Sequence, residues 1–249
     1  MYKGKSSPPT IRLAITAVFT ALVCAATMVF SIWVPRTNGF FNLGEIMVYT
    51  AALIFGPFVG AFAGGVGSMF ADLFLGFPHY ALGTLVIKAC EGGLVGVLSH
   101  RRLSFSSKLR WKIFTFTVGL VAGVLLGLIG SLYYSGSVEI YLGIPPPEDP
   151  TVVLSVSPLF WYVLGAIVVF LISLMGFVSD PEFGWLVLTV LLGGLVMVTG
   201  YFLYEQIFLG VAAIAEVPIN IGQMTVGLIV AIPITTTIRR ALPYLKEIK

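Results

Sequence analysis

Lys88 and Glu91 are the residues of this chain best placed to do chemistry, because they sit inside a run apolar enough for a membrane. Three residues apart, they share one face of a helix and can neutralise each other. An unpaired lysine near the bilayer centre costs roughly 2.5–3.5 kcal/mol on insertion scales, so a partner is required. Two uses of the pair are open. It neutralises itself or a neighbouring helix, or one member faces a cavity and meets a polar ligand. Further polar residues stand at the edges of apolar runs: Glu45, Asp72, His79 and Tyr80 in the first half, Tyr201, Tyr204, Glu205, Asn220 and Gln223 in the second. Taken singly, each reads as an interfacial or capping residue. Together they describe a polar chamber.

Enzyme chemistry is poorly supplied. The sequence has no H-E-x-x-H, no G-x-S-x-G and no Walker-type glycine loop. Its two histidines, His79 and His100, are expected on opposite sides of the membrane, which excludes a shared metal or histidine-based site. Neither a catalytic residue nor a metal ligand set nor a cofactor site is expected in this chain, and any active transport must draw its energy from a partner.

The elements that position these residues are membrane helices. Of the 249 residues 58% are hydrophobic and 10% charged, with a mean hydropathy of +1.02; a soluble domain needs far more charged surface. Several runs reach the ~18–20 residues that cross a ~30 Å hydrocarbon core, and they are continuous rather than alternating, so helices are expected and not a barrel. No basic block points to nucleic acid. Cys24 and Cys90 both fall inside spans and read as small buried hydrophobes. The apolar run after Lys3, Lys5 and Arg12 is too long for a signal peptide and is read as a retained span.

Eight helices are predicted, at about 11–33, 44–55, 57–75, 80–99, 113–134, 158–178, 185–209 and 218–238. Breakers separate them, among them Pro35, Asn38 and Gly39, then Gly56-Pro57, then Gly76-Phe77-Pro78. Lys88 lies about eight residues into the fourth, roughly 12 Å below its outer end. Ala17, Ala21 and Ala25 recur every four residues on the first helix, a spacing that fits close packing within the chain or against another protein. Gly119, Gly123 and Gly127 do the same on the fifth. With the N-terminus inside, every Lys and Arg except Arg36 and Lys88 falls on the cytoplasmic side, so both termini are expected there. Glu45, Asp72, His79, Tyr80 and the later polar group then gather in the outer half. The inner half has almost nothing polar, which favours capture from outside over a continuous channel.

Two long runs carry a resemblance. NLGEIMVYTAALIFGPFVGAFAGGVGSMFADLFLG, followed by ALGTLVIKACEGGLVGVL, and the closing GYFLYEQIFLGVAAIAEVPINIGQMTVGLIVAIPI resemble the S components of energy-coupling factor (ECF) transporters, closest to the riboflavin-type members. The resemblance implies an all-α polytopic membrane protein with a six-helix core, here residues 10–104 and 183–249, and a vitamin or precursor held in the outer half. The segment 108–178 is then an inserted helical hairpin within one membrane domain, making eight transmembrane helices. It implies partners: a membrane coupling subunit, which Ala17, Ala21 and Ala25 would meet, and two cytoplasmic ATPases that use the ATP. By region, the ligand residues it implies are Asn38, His79, Tyr80, Lys88, Glu91, Tyr201, Glu205, Asn220 and Gln223. The expected function is capture of a small heterocycle of the thiamine-precursor, pyridoxine or riboflavin type at a prokaryotic plasma membrane. The alternative is a stand-alone secondary transporter in which Lys88 and Glu91 couple proton movement.

Overall fold

A computed structural model of the chain describes residues 9–34, 39–101, 107–133, 135–140, 149, 152–178 and 181–242. Among these residues there are eight α-helices: α1 Pro9–Val29, α2 Glu45–Phe55, α3 Pro57–Leu75, α4 Pro78–His100, α5 Lys108–Tyr133, α6 Pro158–Val178, α7 Pro181–Glu205 and α8 Val217–Ala241. Short strands accompany them, β1 Ser31–Val34, β2 Gly39–Asn42, β3 Gly136–Ile140 and β4 Val152–Val156, together with a 3-10 turn at Gly210–Ala215. Seven of the helices are long and apolar enough to cross a membrane; α2 is not. This is an all-α polytopic membrane protein.

The described chain forms two compact units. The first contains α1 to α4, the greater part of α7, and α8. Close helix approach holds it together, made possible by small residues where larger ones would collide. A Cβ at Gly92 on α4 would run into the carbonyl of Gly60 on α3, and one at Gly65 would come within 2.7 Å of the Leu85 carbonyl. Gly67 faces the other way, towards Thr20 and Val23 of α1. Gly56 ends α2 with φ +88°, a conformation that side-chain-bearing residues rarely adopt, and Pro57 starts α3 at once. Val23, Val48, Ala51, Val59 and Ala63 pack at the centre of α1, α2 and α3.

α2 departs from a simple span. Its 11 residues reach about 16 Å at 1.5 Å per residue, half of a bilayer's apolar core. The preceding β2 supplies the missing length, so strand and helix together are long enough for one crossing. The Asn42 side chain accepts a hydrogen bond from the Gly44 N–H at 2.9 Å, a local turn that aims the chain into the helix. Extended backbone at this position is satisfied by protein rather than lipid: the Asn42 N–H donates to Gln223 Oε1 of α8 at 3.2 Å. Glu45, which opens α2, sits beside the mid-helix Lys88 rather than at the outer rim expected of it.

The second unit spans residues 102–185 with 32–35. Its α5 and α6 pack through the expected glycine face: Gly123 and Gly165 approach so closely that a Cβ on either would strike the other's carbonyl. Gly130 lies against the Trp161 ring, and Ser131 Oγ donates to Tyr162 Oη at 3.0 Å. Between the two helices, β3 and β4 pair antiparallel, with Gly136 opposite Val156 and Ile140 opposite Val152. No element is expected from sequence between the helices at 113–134 and 158–178, yet residues 136–140 and the Val-rich 152–156 form a hairpin there. Cys90 is another difference, since it is exposed on the outer surface of α4 rather than buried.

Candidate ligand-binding site

The first unit holds a cavity lined by Phe40 and Asn42 of β2, Asp72 of α3, Tyr80, Thr84 and Lys88 of α4, Tyr201 and Glu205 of α7, Glu216, and Asn220 and Gln223 of α8. It encloses about 380 Å³ of non-atom space, part of it open solvent.

Helical spacing places the α4 lining. Tyr80, Thr84 and Lys88 are four residues apart and descend one face, with Tyr80 in the first turn. At the bottom, Lys88 Nζ forms an ion pair with Glu45 Oε1 of α2 and a second with Glu91 Oε2, at 3.1 Å. Its remaining donor is directed at Met197 Sδ. Glu91 is fully buried and accepts from Tyr49 Oη at 2.7 Å through its other oxygen. Gly227 of α8 and Gly193 of α7 allow close approach to this group: a Cβ at Gly227 would come within 2.7 Å of Glu45 and Tyr49. The lysine is therefore compensated from two helices, as burial requires.

Higher on the wall, Tyr201 Oη donates to Thr84 Oγ1 at 3.0 Å, and Thr84 in turn hydrogen-bonds the Asp72 carboxylate. Asp72 Oδ2 and Glu205 Oε2 are buried and have no hydrogen-bond partner among the described residues. Glu216 is near enough to Glu205 for the two carboxylates to repel. Gln223 Nε2 donates to Asn220 Oδ1 at 3.0 Å, while its oxygen holds β2. Around the upper end, Phe208 meets Tyr80, His79 and Tyr204 edge-on, with ring centroids 5.2, 5.7 and 5.6 Å away. Phe40 packs on Phe77 at 4.9 Å.

Of the residues named from sequence, Tyr80, Lys88, Tyr201, Glu205, Asn220 and Gln223 line the cavity. Glu91 stands behind Lys88, buried and directed to Tyr49 and the lysine. His79 is exposed beside the aromatic cluster rather than in the lining. Asn38 lies outside the described residues. The lining also includes Asp72, one of the polar residues that describe the chamber in sequence, and Phe40, Asn42, Thr84 and Glu216, which the sequence does not single out. Thr84 was detectable, midway between Tyr80 and Lys88 on one helical face. Asp72 carries no local sign that separates a cavity acid from an interfacial one, and Glu216 falls between two apolar runs, where it reads as a loop acid. Ala17, Ala21 and Ala25 are exposed on α1, whose buried side instead carries Thr16, Val23 and Thr27.

The cavity thus joins a charge-compensated bottom to a wall of aromatic and polar groups. The family model described as "ECF-type riboflavin transporter, S component" matches residues 9–176. The chain belongs to that family. This S component is 40% identical over 129 residues to an uncharacterised protein of Pyrococcus woesei, covering 49% of this chain and 86% of that one. It is 30% identical over 95 residues to the thiamine precursor transporter HmpT of Lactococcus lactis subsp. cremoris, covering 38% of this chain and 57% of HmpT. The chain thus spans a little over half the length of that second relative.

Proposed function

We propose that this S component captures a small heterocyclic vitamin or precursor, of the thiamine-precursor, pyridoxine or riboflavin type, from outside a prokaryotic cell for ATP-driven uptake. The observation that carries the reading is the cavity itself. It gathers aromatic rings and hydrogen-bonding groups from β2, α3, α4, α7 and α8, and it ends at a lysine already matched by two carboxylates. In this reading Tyr80, Lys88, Tyr201, Glu205, Asn220 and Gln223 contact or frame the ligand, and Asn38 and His79 belong to its rim. The chain itself performs no catalysis and carries no cofactor. ATP is used by two ATPase subunits that act through a membrane coupling subunit.

The exposed face of Ala17, Ala21 and Ala25 is the docking face for that coupling subunit, because small side chains allow a foreign helix to approach closely. The α5–α6 hairpin is an addition to a six-helix core, and both termini are cytoplasmic. Calorimetric titration of the purified protein against a vitamin panel tests capture, with submicromolar binding of one member expected. Reconstitution with a coupling subunit and ATPases tests the energy source. Uptake should then require ATP and fail in Ala21→Trp, while that variant keeps its ligand affinity. Concentrative uptake by this chain alone in energised vesicles would overturn the ATP-driven reading in favour of secondary transport.

A further inference from the structure

Resting on the uptake reading above, we propose that the cavity selects ligands that are cationic or rich in N–H donors, and turns away ligands bearing a carboxylate or phosphate.

Four observations carry this. Asp72, Glu205 and Glu216 line the cavity and Glu45 and Glu91 flank its base, so five carboxyl groups surround a single amine. That amine is already committed: the donors of Lys88 Nζ go to Glu45, Glu91 and Met197 Sδ. An anionic ligand would find no unengaged cation in the described lining, whereas it would have to approach three acids in a low-dielectric enclosure, where like charges repel most strongly.

The second observation concerns unsatisfied acceptors. Asp72 is 4% exposed and Glu205 2% exposed, and each presents a carboxylate oxygen without a hydrogen-bond partner among the described residues. Buried acceptors of this kind are costly unless a donor meets them, and they stand on different helices of one cavity wall, α3 and α7. Third, no group of three or more His, Cys, Asp or Glu among the described residues is arranged to hold a metal ion, so the complementary donors belong to an organic ligand, on which N–H groups, unlike hydroxyls, can also carry a positive charge. Fourth, the same lining supplies the rings of Phe40, Tyr80 and Tyr201. Aromatic faces attract cations and stack on flat heterocycles. Carboxylates and rings on one wall match an amino-substituted, protonatable heterocycle such as an aminopyrimidine.

The test is calorimetric titration of the full-length protein in detergent. Probes are 4-amino-5-hydroxymethylpyrimidine and its 5-carboxylate analogue, thiamine as a fixed cation, the neutral pyridoxine and riboflavin, and the anionic biotin and pantothenate. The tightest ligand should be an amino-bearing or cationic probe, and the carboxylate analogue should bind at least ~100-fold more weakly. Glu205→Gln and Asp72→Asn should each raise Kd for that ligand roughly 10- to 100-fold, the range for a lost charge-assisted hydrogen bond. Unchanged thermal melting would confirm that the loss is local, and either variant suffices if the other does not fold. Submicromolar binding of biotin or pantothenate would overturn the charge selection while leaving vitamin uptake standing. Unchanged affinity in both variants would also overturn it. A protein that binds no probe fails both readings.

Discussion

At the scale of residues, the site is built around one lysine whose charge is answered from two helices. Removing it leaves Glu45 and Glu91 buried together without a counter-charge, and breaking a buried pair in this way costs about 3–5 kcal/mol. Lys88→Met is therefore expected to lower the melting temperature of the detergent-solubilised protein markedly. Adding Glu45→Gln and Glu91→Gln should restore much of the loss, which a thermal-shift series would read directly. Half of this arrangement was legible in the sequence. The i, i+3 spacing identifies Glu91 as a partner, since helix geometry fixes what lies one turn away. Glu45 was not legible as one, because its depth depends on how far β2 carries the chain inward, and hydropathy does not record that.

At the scale of elements, the helices meet wherever side chains are absent. Gly92 and Gly93 are neighbours in sequence but not in environment. A Cβ at Gly92 would strike the Gly60 carbonyl, while one at Gly93 would find its nearest neighbour, Ala61 Cβ, at an ordinary 3.5 Å. Gly92→Val should destabilise the protein by about 1–3 kcal/mol through overpacking, and Gly93→Ala should be neutral or slightly stabilising, since alanine is the better helix former. Paired melting curves would separate them. The β2 strand provides a second case. Gln223→Leu removes the acceptor for the Asn42 N–H, so hydrogen exchange at that amide should accelerate and ligand should dissociate faster. The sequence announced small-residue faces on α1 and α5 with equal emphasis. It did not say that the α5 face is filled from within the chain while the alanines of α1 stay exposed, because periodicity fixes a face and not its partner.

At the scale of the whole molecule, the basic residues outside the spans all fall on one side of the expected topology except Arg36. A fluorescent reporter fused after Lys249 should accordingly be active, and an alkaline phosphatase fused there inactive, as expected for a cytoplasmic C-terminus. A phosphatase-active fusion would invert the topology and place the cavity on the cytoplasmic side. The class was readable from apolar run length, because the bilayer sets that length, whereas α2 was readable only from the Gly56-Pro57 break that ends it. Hydropathy does not show the division into two compact units, since each helix of the hairpin is as apolar as those of the first unit; only the family resemblance sets residues 108–178 apart.

The shortness of α2 bears on how the protein is made. Val48 to Ile54 are all buried, and the cover comes from α1, α3, α4 and also α8, where Gly227 fits over Glu45 and Tyr49 and Arg239 donates to the Leu53 carbonyl. α8 leaves the ribosome only after the entire hairpin unit. During synthesis α2 must therefore wait, too short to hold its own place in the bilayer and with one flank and its glutamate still uncovered. A nascent chain arrested before Val217 should carry that vulnerability openly, as a target for membrane quality-control proteases. The cup is complete only once α8 has arrived.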